Sequence, residues 1–242
     1  MMDAIFIVGT GRSGTHFTLR SLLGFSEVFD PQGGHEDLAL LYHITRSAIL
    51  HQPFPPHAHS YYSLAKKMMG SRKIFADQHH SNLYFRSHLT SIFQSPIFLY
   101  VKRPLEQIVA SMLEHQGVQY WYHHAIQKQN RIPLPNQFLG IESLEEINKT
   151  PKHILFAKRV LAHHAEAKSN PNHVDLRFIN YTDLVLRQEE EFSRIFSTME
   201  IGELGTFTAQ EKPNAASLSK YKDVLTSEQV KQIQSLAIHH GY

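Results

Sequence analysis

A glycine-rich loop near the start of the chain has the residue types and spacing of an anion-binding site. Gly9-Thr10-Gly11-Arg12-Ser13-Gly14-Thr15, the glycine loop, follows the apolar run Ala4 to Val8 and precedes a segment with helical apolar spacing. A loop between a strand and a helix directs backbone N–H groups and the positive end of the helix dipole at one point. We therefore predict that the glycine loop binds an anion such as phosphate.

The end of the glycine loop departs from the magnesium-dependent phosphate-binding pattern. The loop has the Gly9 to Gly14 spacing of a Walker A motif, but Thr15 and His16 stand where that motif has lysine and then serine or threonine. The lysine that grips phosphate and the hydroxyl that holds magnesium are therefore both missing. Arg12 supplies a positive charge instead, since its planar guanidinium binds phosphate or sulfonate oxygens bidentately without a metal.

The run Arg12-Ser13-Gly14-Thr15 resembles the phosphosulfate-binding loop of sulfotransferases, in which Lys or Arg followed by Ser-Gly-Thr opens a helix. The resemblance implies a P-loop-like fold and a sulfonate donor, 3′-phosphoadenosine-5′-phosphosulfate. It implies that Arg12 also stabilises charge on the oxygen that departs from the sulfur. The residues implied to hold the 5′-phosphosulfate are Gly11, Arg12, Ser13, Gly14, Thr15 and His16.

A second pair of residues resembles the family's 3′-phosphate site. In sulfotransferases an arginine at a strand end and a serine eight residues later bind this phosphate, and Arg103 and Ser111 have that spacing. The family usually has proline two residues after the arginine, whereas Pro104 follows Arg103 directly. Lys102 is therefore the alternative residue for the arginine position.

Two further segments are similar to parts of the family. Lys220 follows a serine and matches the lysine that the C-terminal segment of tyrosylprotein and related sulfotransferases supplies to the cofactor. Asp77-Gln78 looks like a segment that reads Asp-Lys in many relatives. Gln78 replaces the lysine there and removes a sulfonate-contacting charge, so a plain loop is the alternative interpretation of this segment.

A candidate general base lies after the first predicted helix, in the run Gly33-Gly34-His35-Glu36-Asp37. Glu36 resembles the glutamate that follows the first helix in tyrosylprotein and several bacterial sulfotransferases. This implies that Glu36 takes the proton of the acceptor group. His35 is the alternative base, because an unperturbed histidine titrates near neutral pH.

The remaining chemistry-bearing residues do not form a metal motif. The chain has 18 histidines, several of them in adjacent pairs, but it has no His-Glu-x-x-His array. Neighbouring residues of a helix point about 100° apart, so adjacent histidines there do not share a ligand. A migrating sulfonate also carries less negative charge than a phosphoryl group. We therefore expect neither a bound metal nor a magnesium requirement.

The positioning of these residues requires strands that alternate with helices, which predicts an α/β fold with a mainly parallel sheet between helices. Clustered prolines predict irregular structure in two places. The predicted strands are Ala4 to Val8, Lys73 to Ala76, Pro96 to Val101 and Val174 to Ile179. The predicted helices start near Ser13 or Gly14, at Pro104 (to about His115) and at Ile154 (to Ala167), and the irregular segments are Gln52 to His57 and Arg131 to Asn136.

Composition limits the class of protein. The 242 residues are 42% hydrophobic, which suits one domain spanning 1–242. The net charge of +2 favours neither a nucleic-acid partner nor an electrostatic membrane anchor. Cysteine is absent, which fits a reducing compartment, and no apolar stretch has the length of a membrane span. We expect a cytoplasmic protein without a membrane span.

Three functions remain open at this point. The resemblance favours a sulfotransferase that acts on a hydroxyl or amine. A nucleotide-dependent kinase with an atypical P-loop and a non-catalytic nucleotide-binding protein are the alternatives. The acceptor pocket is expected in variable loops such as His51 to Tyr61 and Ile126 to Gly140, so a small molecule, carbohydrate, lipid or peptide each fits the sequence. The oligomeric state is not predicted.

Overall fold

A computed structural model describes residues 2–70, 74–122, 132–169, 174–197, 207–209 and 213–242. Within these ranges, strands and helices alternate along the chain. The strands are β1 (Ala4–Val8), β2 (Val28–Phe29), β3 (Ile74–Asp77), β4 (Pro96–Lys102) and β5 (Asp175–Asn180). The alternation confirms the predicted α/β class.

Among the described residues, five strands form one sheet in the order β2-β3-β1-β4-β5. Each neighbouring pair is parallel, and β1 lies between β3 and β4. Every side chain of β1 is buried, as a strand covered on both faces requires. Because the strands are parallel, the residues that follow β1, β3, β4 and β5 all emerge at the same edge of the sheet.

Helices cover this sheet, and their apolar side chains pack with those of the strands in the core. The α-helices of the first half are α1 (Thr15–Leu22), α2 (Leu38–Ile49), α3 (Pro56–Met68), α4 (Arg86–Ile92), α5 (Leu105–Glu114) and α6 (Gln116–Trp121). Those of the second half are α7 (Leu144–Lys149), α8 (Lys152–Ser169), α9 (Tyr181–Leu186), α10 (Gln188–Ser197), α11 (Tyr221–Val224) and α12 (Ser227–His239). Two 3-10 helices, His80–Phe85 and Ala215–Leu218, complete the described elements.

The alternation of side chains along β1 shows the layers. Ile5 and Ile7 pack in one apolar cluster with residues of α1, α9 and α10. Phe6, which points to the opposite face, packs in another cluster with residues of α2, α3 and α4. Helices therefore lie on both faces of the sheet, which confirms the predicted three-layer arrangement.

The prediction of a loop through the first proline cluster was partly wrong. Residues 52–55 are irregular, but α3 begins at Pro56, so Pro56 and His57 are helical. Proline is tolerated in a first helical turn, where its missing N–H has no intrahelical partner to lose. The predicted variable loop His51 to Tyr61 is therefore helical from Pro56 onward. Residues 126–131 of the other predicted loop, Ile126 to Gly140, lie outside the described residues.

Candidate functional site

The glycine loop leaves the central strand β1 and forms a tight turn before α1. The Ser13 amide donates to the Thr10 carbonyl at 2.9 Å, and Arg12 and Gly14 have positive φ angles of 80° and 111°. Gly14 is the N-cap of α1 and has no side chain to cap the helix. The first amides of α1 are therefore available to an anion, as a phosphate-binding loop requires.

A neighbouring strand end holds the glycine loop in this shape. Tyr181, the first residue of α9, follows β5 directly. A Cβ atom at Gly14 would lie 2.3 Å from Cδ2 of the Tyr181 ring, which is far inside van der Waals contact. Only glycine fits at this position, both for its positive φ and for the approach of the ring.

Two arginines and a serine meet at the glycine loop. Arg12 Nε donates to Ser111 Oγ at 3.1 Å, and Arg103 Nη1 donates to the Arg12 carbonyl at 3.3 Å. The guanidinium of Arg103 lies 4.4 Å from the centre of the Tyr181 ring, a cation–π distance. Burial lowers the pKa of Arg103, and the nearby charge of Arg12 lowers it further. An anion at this point relieves the repulsion between the two guanidinium groups.

The side chains of Lys102 and Arg103 lie in different surroundings. The Lys102 ammonium lies 5.3 Å from the centre of the Tyr242 ring, away from the contacts of the glycine loop. Arg103 is 9% exposed, and its side chain also donates to Gln107 Oε1 at 2.9 Å and to the Ser217 carbonyl at 3.0 Å. Arg103 is therefore the residue of this pair that faces the glycine loop.

Lys220 lies next to this group without contacting the glycine loop directly. Its Nζ atom is 2.9 Å from Glu114 Oε2, and both side chains are largely exposed. Glu114 is three residues after Ser111 on α5, so the two lie on one face of that helix. The predicted cofactor role of Lys220 stays a prediction.

Glu36, one of the two predicted bases, contacts the residue directly after the glycine loop. Its Oε2 atom is 3.5 Å from His16 Nε2, and its side chain is 16% exposed. Burial lowers the pKa of Arg12, and the charge of Glu36 opposes that shift. Asp37, the next residue, is the N-cap of α2 and accepts the amides of Ala39 and Leu40 at 3.0 Å each.

His35 differs from Glu36 in its surroundings. The residue is exposed, and its backbone amide donates to the Gln32 carbonyl at 3.2 Å. A base that serves a reaction at the glycine loop must reach the reacting atoms. The structure therefore favours Glu36 over His35 on position, and the catalytic role of either residue stays a prediction.

A buried polar cluster supports the segment that carries Glu36. Asp77, the last residue of β3, accepts hydrogen bonds from Tyr62 Oη at 3.0 Å, from Asn82 Nδ2 at 2.8 Å and from His79 Nδ1 at 2.7 Å. The other ring nitrogen of His79, Nε2, donates to the Asp37 carbonyl at 3.3 Å. Donation from both nitrogens makes His79 an imidazolium, which is paired with the Asp77 carboxylate.

The environment of His79 agrees with a charged ring. Burial acts to lower the pKa of His79, but the charge of Asp77 and its hydrogen bond outweigh burial and raise that pKa to about 9. A second buried histidine behaves in the opposite way. His163 donates Nδ1–H to the Gly9 carbonyl at 2.9 Å, and burial lowers its pKa to about 3. Neutral His163 thus holds the start of the glycine loop.

Several of these site residues were not predicted from the sequence. Tyr181 lies two residues after the predicted strand Val174 to Ile179, so its place near a strand end was the available signal. At Gln78 the sequence indicates only the loss of a lysine charge, but the side chain contacts His16 at 3.2 Å. His163 lies 154 positions from Gly9, and no local pattern connects them.

The described ranges contain no group of three or more His, Asp or Glu side chains arranged to hold a metal ion. None of the helices in those ranges combines the length and the apolar character of a membrane span. These findings concern only the part of the chain that the structure describes.

Comparisons with known proteins find similarity in structure alone. No protein-family model and no curated protein matches the sequence. The fold is similar to the sulfotransferase domain from the curacin biosynthetic pathway, with a TM-score of 0.57 and 12% identity over 98% of both chains. It is also similar to the sulfotransferase domain of the olefin synthase of Synechococcus PCC 7002, with a TM-score of 0.53 and 12% identity over 98% of this chain and 94% of that one.

This similarity establishes the fold. The chain is an α/β protein with a parallel sheet and a sulfotransferase-like fold, as the resemblance of its glycine loop implied.

The charged ring of His79 should make the free energy of unfolding depend on pH. The pKa of His79 rises from an ordinary 6.5 to about 9 on folding. Its contribution is therefore fully present below pH 6.5 and is lost as the pH rises through about 9. We expect His79→Gln to reduce the free energy of unfolding more at pH 6 than at pH 9.5. Urea unfolding of both proteins at the two pH values measures this, and an equal reduction at both would contradict the imidazolium.

Proposed function

We propose that this chain transfers the sulfonate group of 3′-phosphoadenosine-5′-phosphosulfate to a hydroxyl or amine acceptor. The observation that carries the proposal is the meeting of Arg12, Ser111 and Arg103 at a glycine loop without the Walker lysine. Two guanidinium groups and the helix amides suit a ligand with two separate anionic groups. The sulfotransferase-like fold supports the same conclusion.

The proposed donor fits the residues present at the site. The glycine loop and the start of α1 would hold the 5′-phosphosulfate, and Arg103 with Ser111 would hold the 3′-phosphate. Ser13 Oγ is buried and has no hydrogen-bond partner among the described residues, so a ligand oxygen is a suitable partner for it. Lys220, which is paired with Glu114 on the same face of α5 as Ser111, would add positive charge on that side.

The reaction is an in-line displacement at sulfur. The acceptor oxygen or nitrogen forms a bond to sulfur while the bond from sulfur to the bridging phosphate oxygen breaks. Glu36 takes the proton of the acceptor, and Arg12 with the loop amides stabilises the charge on the departing oxygen. The second product is 3′-phosphoadenosine 5′-phosphate. Thr15 and His16 occupy the positions of the Walker lysine and magnesium ligand, so we propose a reaction that needs no metal.

The acceptor and the setting belong to the same proposal. The chain would act as one domain over 1–242, in the cytoplasm, on a small molecule, carbohydrate, lipid or peptide. The absence of cysteine is compatible with a reducing compartment.

Replacing the proposed base tests the reaction. We expect Glu36→Gln to lower turnover of labelled phosphosulfate by a factor of about 100 or more, because loss of a general base typically has this effect. Binding of 3′-phosphoadenosine 5′-phosphate should change less than about twofold, since Glu36 does not hold the nucleotide. Glu190→Gln, on the surface of α10, is the matched control and should retain full activity. A fully active Glu36→Gln protein would end the assignment.

A second prediction separates Arg103 from Lys102. We expect Arg103→Lys to weaken binding of 3′-phosphoadenosine 5′-phosphate about tenfold, because lysine cannot replace the guanidinium fork. Binding of adenosine 5′-phosphate, which lacks the 3′-phosphate, should change much less. Lys102→Ala should leave the binding of both nucleotides within about twofold of the original. Calorimetry measures all three proteins, and the assignment is wrong if Lys102→Ala selectively weakens the bisphosphate.

A further inference from the structure

Gln78 is a buried amide that faces the residue directly after the glycine loop. The residue is 2% exposed, and its Nε2 atom lies 3.2 Å from His16 Nδ1. Because the amide donates to Nδ1, this nitrogen is the acceptor of the neutral ring, and the ring proton then belongs on Nε2. The contact joins the residue that follows β3 to the first turn of α1, and the two residues are 62 positions apart in the sequence.

The opposite edge of the His16 ring faces Glu36. His16 Nε2 lies 3.5 Å from Glu36 Oε2. A ring with its proton on Nε2 presents a donor to that carboxylate oxygen. His16 is 43% exposed and Glu36 is 16% exposed, so one side of this pair is open to an incoming molecule. Contacts of this length typically shorten when a substrate closes the site.

The segment after β3 also supports Glu36 through the backbone. His79, the neighbour of Gln78, donates to the carbonyl of Asp37, the neighbour of Glu36. Asp77 in turn fixes His79, both through its ring and through its backbone amide at 3.0 Å. Asp77, Gln78 and His79 therefore act on Glu36 indirectly, through the His16 ring and through the backbone of the next residue.

We propose that Gln78 is a positioning residue, which fixes the tautomer and orientation of His16 so that the ring holds the Glu36 carboxylate toward the acceptor. The proposal rests on the proposed sulfonate transfer, in which Glu36 is the base. The acceptor's proton moves to Glu36, while His16 keeps its Nε2 proton and Gln78 is unchanged. Gln78 thus has a role of its own at the position where the family has a charged lysine.

The tautomer of His16 tests the geometric part of the proposal without any turnover. Nitrogen NMR of the histidine rings at pH 8 should show His16 with its proton on Nε2. Gln78→Met, which keeps the length of the side chain but loses the donor, should yield a mixture of tautomers. Gln137→Met is the matched control and should leave His16 unchanged. A proton on Nδ1 in the original protein, or an unchanged His16 in Gln78→Met, would overturn the proposal.

Kinetics test the catalytic part. We expect Gln78→Met to lower kcat about tenfold or more, because small displacements of a catalytic group cost this much. The Kd for 3′-phosphoadenosine 5′-phosphate should stay within about twofold. The double variant Gln78→Met/His16→Phe should be no slower than His16→Phe alone, since Gln78 acts through His16.

Two outcomes separate this proposal from the proposed function. Losses that multiply in the double variant would show that Gln78 acts independently of His16 and would overturn the positioning role. If the original protein transfers sulfonate to no acceptor, the proposed function fails. The His16 tautomer then still decides whether Gln78 orients the ring.

Discussion

The close approach of Gly14 to Tyr181 is the contact on which the candidate site depends. The glycine loop can turn into α1 only because Gly14 has no side chain and adopts a positive φ beside the ring. The same ring lies against the guanidinium of Arg103. Tyr181 therefore connects the proposed 5′-phosphosulfate site with the proposed 3′-phosphate site. These residues follow β1, β4 and β5, and a parallel sheet brings the ends of these three strands to one edge.

Charge divides the site into two parts. Arg12 and Arg103 place two cations beside the loop amides, which favours an anionic ligand with two charged groups. Glu36 lies near Arg12 but is contacted by His16, so a carboxylate is kept within reach of the cationic region. Buried histidines contribute in two protonation states. Charged His79 supports the Glu36 segment, while neutral His163 holds Gly9.

Much of the fold could be predicted from local patterns. Short apolar runs predicted three strands, β1, β4 and β5. Apolar residues at helical spacing predicted two helices, α5 and α8. Each of these elements matches its predicted range within a few residues. β3 was predicted from Lys73 to Ala76 and extends from Ile74 to Asp77, with Lys73 outside the described residues. β2 has only two residues and gives no detectable pattern. α3 was missed because its start is a proline cluster.

The site was less predictable than the fold. The glycine loop is contiguous, so its residue types alone indicated an anion site. Arg103 and Ser111 were indicated only by the family resemblance. The position of the Lys102 ammonium beside the Tyr242 ring could not be predicted from the sequence. The contacts of Gln78 and His163 join segments 62 and 154 positions apart. Such contacts depend on tertiary packing, which no local pattern encodes.

Sulfonate transfer is tested most directly by calorimetric titration of the protein with 3′-phosphoadenosine 5′-phosphate in the presence of a metal chelator, compared with titration by ATP and magnesium. We expect the bisphosphate to bind tightly without metal and ATP with magnesium to bind far more weakly. Binding of ATP with magnesium but not of the bisphosphate would contradict sulfonate transfer and favour a kinase.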